Sequence, residues 1–117
     1  MAKIFLTFVI FFGSYLSADE LMAAVKSEYR DPENIIRDEF RNPYETLTFF
    51  GIEPSMKVVE LSPGGGWYTE ILATYLNNSG ELIAAHFDKN SNSNFLKKIR
   101  KNFEKKMDSN SIYEGVK

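Results

Sequence analysis

The chain has 117 residues, enough for one small domain, and its 44% hydrophobic and 26% charged content is that of an ordinary globular protein. A formal net charge of -2 gives no electrostatic reason to expect nucleic acid as a partner. The absence of cysteine excludes disulfides, thiolate metal sites and cysteine nucleophiles, and the one histidine, His86, is too little for a histidine metal cluster.

The first residues have the layout of a secretory signal. Met1-Ala2-Lys3 carries one positive charge, Ile4 to Phe12 is apolar but for Thr7, and Gly13 to Ala18 leads to the acidic pair Asp19-Glu20. Cleavage is expected after Ala18, although Leu16 is larger than the small residue usual at that place. The alternative is a membrane anchor. Ile4 to Leu16 is too short for it, because a helix crossing a bilayer of roughly 30 Å needs about 20 residues. With no cysteine after the apolar core, a lipoprotein is excluded. The expected mature protein is exported, periplasmic and without stable membrane insertion. Its expected segments are 1–18 as signal peptide and 19–117 as the functional domain.

In chain order, Asp19 to Tyr29 has helical character, with Leu21, Met22 and Val25 on one side. Asp31-Pro32 reads as N-cap and first turn of a helix that continues through Ile35, Ile36 and Phe40. Asn42-Pro43 with Glu45 repeats the device at capping-box spacing, and Tyr44, Leu47, Phe49 and Phe50 give that helix an apolar face ended by Gly51. Lys57 to Leu61 reads as a strand covered on both faces, Trp67 to Leu76 as a helix and Glu81 to Phe87 as a second strand. Strand, helix and strand in this span predict a βαβ unit with parallel strands. Phe95 to Met107 reads as an amphipathic helix with Phe95, Ile99 and Phe103 at four-residue spacing. Its Lys97, Lys98, Arg100, Lys101, Lys105 and Lys106 could meet anionic lipid, but a solvated face over a core stripe explains them better. Val116-Lys117 looks like the start of another strand.

The residues between the first strand and its helix are where a ligand is expected. Gly64-Gly65-Gly66 removes every Cβ where the chain turns, and the free N–H groups of the next helix point into the same space. Glu60 stands at the carboxyl end of the strand, where open α/β sheets place their ligands. A dinucleotide fingerprint does not fit: with Gly64 and Gly66 in the first two places, Thr69 takes the third. A P-loop does not fit either, because no lysine follows the turn.

The run Glu60-Leu61-Ser62-Pro63-Gly64-Gly65-Gly66 is similar to motif I of class I S-adenosylmethionine-dependent methyltransferases, an acid followed by G-x-G-x-G. Arg41-Asn42-Pro43-Tyr44-Glu45-Thr46-Leu47, Phe49-Phe50-Gly51 and Pro63-Gly64-Gly65-Gly66-Trp67-Tyr68-Thr69-Glu70-Ile71-Leu72-Ala73 resemble a narrower group, exported bacterial proteins described as methyltransferases. The likeness extends from about Tyr29 to Lys117. It implies a Rossmann-like doubly wound α/β fold, of which this chain would be the N-terminal part, stopping as a third strand begins. It implies S-adenosyl-L-methionine as cofactor, with the backbone of Gly64, Gly65 and Gly66 beside its methionine part. Glu60 would reach its ammonium group and Asp88 its ribose hydroxyls. The protein would contribute proximity and orientation, and the cofactor the reactive methyl group.

Ser62 stands where the first glycine of the motif usually lies, and a positive φ there would be strained. Trp67 either stacks on the cofactor or packs into the core, and core packing is the expectation. Glu60 has a plainer role as a cap of the following helix, Asp88 as a turn residue and His86 as a half-buried strand residue. No catalytic residue and no methyl acceptor can be named. Two other functions remain open: a non-catalytic exported module that binds a small ligand or a protein on the same fold, and a nicotinamide oxidoreductase. Unpaired strand edges and an uncovered apolar face would leave the chain alone marginal in stability and prone to aggregate.

Overall fold

The protein is described by a computed structural model that covers residues 20–117. The signal-peptide expectation concerns residues 1–18 and lies outside the described residues. The described chain runs through helices first and then β-α-β-α, with two parallel strands.

The centre is β1 (Lys57–Leu61), α5 (Trp67–Leu76) and β2 (Glu81–Ala85). The strands pair in parallel from Lys57↔Glu81 to Leu61↔Ala85, as the βαβ pattern predicts. Residues paired in a parallel ladder share a face. Val58 and Glu60 therefore lie on the face of Leu82 and Ala84, and Leu82 packs with Ile71, Leu72 and Leu76 of α5 in the main core. Val59 and Leu61 share the other face with Ile83 and Ala85 and are 51% and 78% exposed. The expectation of a strand covered on both faces thus holds on one face only, because every described helix that packs on the sheet lies on the α5 side. β2 also ends two residues earlier than expected. Its pairing stops where β1 stops, and the His86 N–H turns back to the Ala84 carbonyl. On the free edge of β2 the Lys117 N–H donates to Leu82 and the Lys117 carbonyl accepts from Ala84, the pattern of a parallel bridge.

Buried residues surround α5 on nearly all sides, including Trp67, Thr69, Glu70, Ala73 and Tyr75. The sheet covers one side. The N-terminal helices, α6 (Asn94–Met107) and a 3-10 turn (Ser111–Tyr113) cover the rest. Ser93 caps α6 at the Leu96 N–H. Of the expected apolar stripe of α6, Phe103 is buried and Phe95 is 69% exposed.

The N-terminal part is more broken than its apolar pattern predicts. The first described helix, α1 (residues 20–25), stops before Tyr29, and Arg30 Nη1 takes its terminal Val25 carbonyl at 2.7 Å. Asp31 caps α2 (Pro32–Ile35) as expected, accepting from the Glu33 N–H at 2.9 Å. That helix does not reach Phe40. The chain kinks at Ile36-Arg37 and restarts as α3 (Asp38–Arg41), leaving Ile36 and Phe40 exposed. The expected capping box at Asn42 is absent. Asn42 is left-handed, at φ 44°, and its side chain caps nothing. The ring of Pro43 disfavours the right-handed helical region for the residue before it, and asparagine tolerates the left-handed one.

α4 (Pro43–Phe49) buries Pro43 and Leu47 but leaves Phe49 and Phe50 outside, contrary to the expected apolar face. Its end is as expected. Gly51, at φ 65°, lets its own N–H reach Thr48 and that of Ile52 reach Leu47, the paired bonds of a Schellman motif.

Candidate functional site

The turn between β1 and α5 is left-handed at Ser62 (φ 53°), Gly64 (φ 60°) and Gly66 (φ 87°). A Cβ on Gly64 or Gly65 would meet nothing within 4 Å, so the backbone here faces open space. That space is a cavity of about 440 Å³ lined by Glu60, Leu61, Ser62, Pro63, Gly64 and Gly65 together with Asn34, Arg37, Arg41, Trp67 and Tyr68. Its size is that of a small-molecule site.

Of the residues singled out by the sequence, Glu60, Ser62, Gly64 and Gly65 come together on this cavity. Gly66 does not line it. Gly66 starts α5, with the Phe103 ring 3.4 Å from where its Cβ would stand. Asp88 is exposed in the turn after β2, its Oδ1 accepting from the Asn90 N–H at 2.8 Å, and it does not line the cavity.

Glu60 is half-buried, and its Oε2 accepts from the Thr69 hydroxyl at 2.6 Å. Thr69 is the third residue of α5, so Glu60 is tied to the first turn of that helix while also lining the cavity. Burial raises its pKa above 4.5, and the hydrogen bonds from Thr69 oppose this in part. The folded state therefore holds the proton more tightly than the unfolded one, and stability falls as pH rises from 4.5 through the raised native value. A Glu60→Gln variant keeps an acceptor for Thr69 without the buried charge. It is expected to unfold at higher urea than the wild type near pH 8, with the gap closing near pH 4. An unchanged gap across that range would mean the carboxylate is fully solvated.

Ser62 is the one non-glycine left-handed residue of the turn, and such a conformation costs an L-residue roughly 1–2 kcal/mol. Part of the relief on substitution by glycine is offset by the greater freedom of the unfolded chain. Ser62→Gly is expected to stabilise by about 0.5–1 kcal/mol in urea titrations. A loss of stability would show that the hydroxyl makes a contact worth more than the strain.

The sole tryptophan, Trp67, is 4% exposed and acts as a packing residue, as expected. Its Nε1 donates to the Asn34 carbonyl at 2.8 Å, and the Arg41 guanidinium lies over its ring at 4.1 Å. His86 ties the turn to β2. Its Nδ1 accepts from the Phe87 N–H, which leaves Nε2 as the donor to the Gly64 carbonyl at 3.0 Å.

A buried ionic cluster behind the turn was not foreseen. Glu70 Oε1 accepts from Asn34 Nδ2 at 2.8 Å and pairs with Lys106 Nζ, and Oε2 faces Arg30 Nε at 3.6 Å. Arg30 in turn grips Asp38 with both terminal nitrogens, at 2.5 and 2.8 Å. The side chains of Arg30 and Glu70 are wholly buried. The cluster borders a second cavity of about 630 Å³, where Gly65 is again part of the wall. Tyr113 also lines it, donating to the Tyr29 carbonyl. Burial and the negative charges of Glu70 and Asp31 push the Tyr113 hydroxyl up to about 12.

Comparison with protein-family models, with curated proteins and with solved structures found no match for this chain. Among the described residues no group of three or more His, Cys, Asp or Glu side chains is placed to hold a metal ion, and no helix is long and apolar enough to cross a membrane.

Proposed function

We propose that this chain carries the cofactor-binding part of an S-adenosylmethionine-dependent methyltransferase, on a doubly wound fold. The observation that carries this reading is the glycine turn itself. Its bare backbone at Gly64 and Gly65 opens on a ligand-sized cavity beside the strand-end acid Glu60. The parallel strands, and the parallel bridge of Lys117 to β2, support the fold part of the reading. In this role the turn lets the cofactor's methionine part approach the main chain, and Glu60 receives its ammonium group. The residues orient a reactive methyl group that the cofactor supplies.

A second reading has its own support. Ser62 strains the turn, and the Asp88 carboxylate is turned to Asn90. Both suit a non-catalytic small-ligand module on the same fold. Isothermal calorimetry with S-adenosylmethionine separates the two. Saturable heat below roughly 1 mM supports the cofactor reading, and none at that concentration removes it.

A further inference from the structure

We propose that Arg37 and Arg41 form a carboxylate-binding subsite in the cavity over the glycine turn. The Arg41 N–H donates to the Arg37 carbonyl at 3.1 Å, a helical i to i+4 bond, so the two side chains rise one turn apart on the same side. Both line the cavity. The Arg41 guanidinium is held over Trp67 at 4.1 Å and Tyr68 at 5.4 Å. Stacking uses the face of a guanidinium and leaves its in-plane N–H donors free.

Neither arginine has an ion pair or side-chain hydrogen bond among the described residues. Of the acids close by, Asp38 is engaged by Arg30, and Glu60, which lines the same cavity, accepts from the Thr69 hydroxyl through Oε2 and pairs with neither arginine. The N–H groups of Gly64 and Gly65, which line the same cavity, likewise donate to no described residue. Two forks of donors and a bare turn thus line one volume in which Glu60 is the one carboxylate, and no described side chain pairs with either fork. A planar carboxylate matches an arginine fork with two parallel hydrogen bonds. The carboxylate has two possible sources, the cofactor of the proposed function or a second ligand beside it. The subsite itself rests on the cavity and not on that function.

Trp67, the only tryptophan, reports on the subsite by fluorescence. The chain is titrated with benzoate and with its uncharged analogue benzamide. Benzoate is expected to change the signal saturably below roughly 10 mM, with benzamide at least about tenfold weaker. Arg37→Gln and Arg41→Gln are each expected to weaken benzoate by about tenfold or more, with the far-ultraviolet dichroism of the fold retained. Arg37 has no ring contact, so its variant remains informative if Arg41→Gln loosens the stack.

Equal affinity for benzoate and benzamide, no saturable benzoate signal, or full affinity in Arg37→Gln would each overturn the subsite. Calorimetry with S-adenosylmethionine on the same variants identifies the source. Weakened cofactor binding assigns the carboxylate to the cofactor. Unchanged cofactor binding with weakened benzoate assigns it to a second ligand. Arginine-dependent benzoate binding without any cofactor heat keeps the subsite and removes the methyltransferase reading. Cofactor heat without benzoate binding does the reverse.

Discussion

Glu70→Ala is expected to cost about 3–5 kcal/mol, a large part of the stability of a domain this size. Glu70 has no exposed surface and is the anion shared by Arg30 and Lys106. It also accepts from the Asp31 N–H at 3.3 Å and from Asn34, so it holds the start of α2 against the first turn of α5. Alanine leaves the wholly buried Arg30 with Asp38 alone and leaves Lys106 without a carboxylate. The cost arises because the buried Arg30 loses one of its two carboxylates, the mostly buried Lys106 loses its carboxylate, and Asn34 and the Asp31 N–H lose their acceptor, since the pair itself adds little over an apolar substitute. Urea denaturation followed by circular dichroism measures the loss. Trp67 fluorescence is expected to shift at lower urea than the dichroism, because α2 leaves the indole first. A loss below about 1 kcal/mol would mean that water enters the cluster and solvates it.

The second large effect is steric. A Cβ on Gly80 would stand 2.5 Å from the Pro54 carbonyl oxygen, 2.7 Å from that of Met56 and 2.9 Å from Leu76 Cδ2. Two of these three are backbone atoms of the turn that leads into β1, and Met56 there accepts from the Glu81 N–H at 3.0 Å. The turn cannot retreat without loosening the entry to both strands. Gly80→Ala is therefore expected to destabilise by about 3 kcal/mol in the same titration. Gly115→Ala is the control: its Cβ would meet nothing within 4 Å, and a change within about 0.5 kcal/mol is expected. Equal effects of the two would show that backbone freedom, and not the close approach, sets the cost at Gly80.

What the sequence made legible was local. The bounds of β1 and α5, the Asp31 cap and the Gly51 stop follow from apolar runs, capping chemistry and left-handed glycine, all settled within a few residues. What it hid depends on distant partners. Phe40, Phe49, Phe50 and Phe95 read as core because they are apolar at helical spacing, yet which face meets a neighbour is decided by packing. Glu70 drew no reading of its own, because nothing nearby in the chain announces that Arg30 and Lys106 converge on it. The site divides in the same way. The glycine turn with Glu60 was visible, whereas the wall made by Arg37 and Arg41 required the kink after α2.

That kink also bears on the order of assembly. α2 and α3 have four residues each, and a single helical turn does not repay its own nucleation. Their form depends on Glu70 and Trp67, which lie more than 30 positions downstream of Asp31 and Asn34. The β1-α5-β2 unit closes shorter loops and can form first. In that order the N-terminal turns would settle on a finished α5, and only that last step would build the arginine wall of the cavity. A ligand held between that wall and the glycine turn would bind only the completed state and so would draw the final folding step to completion.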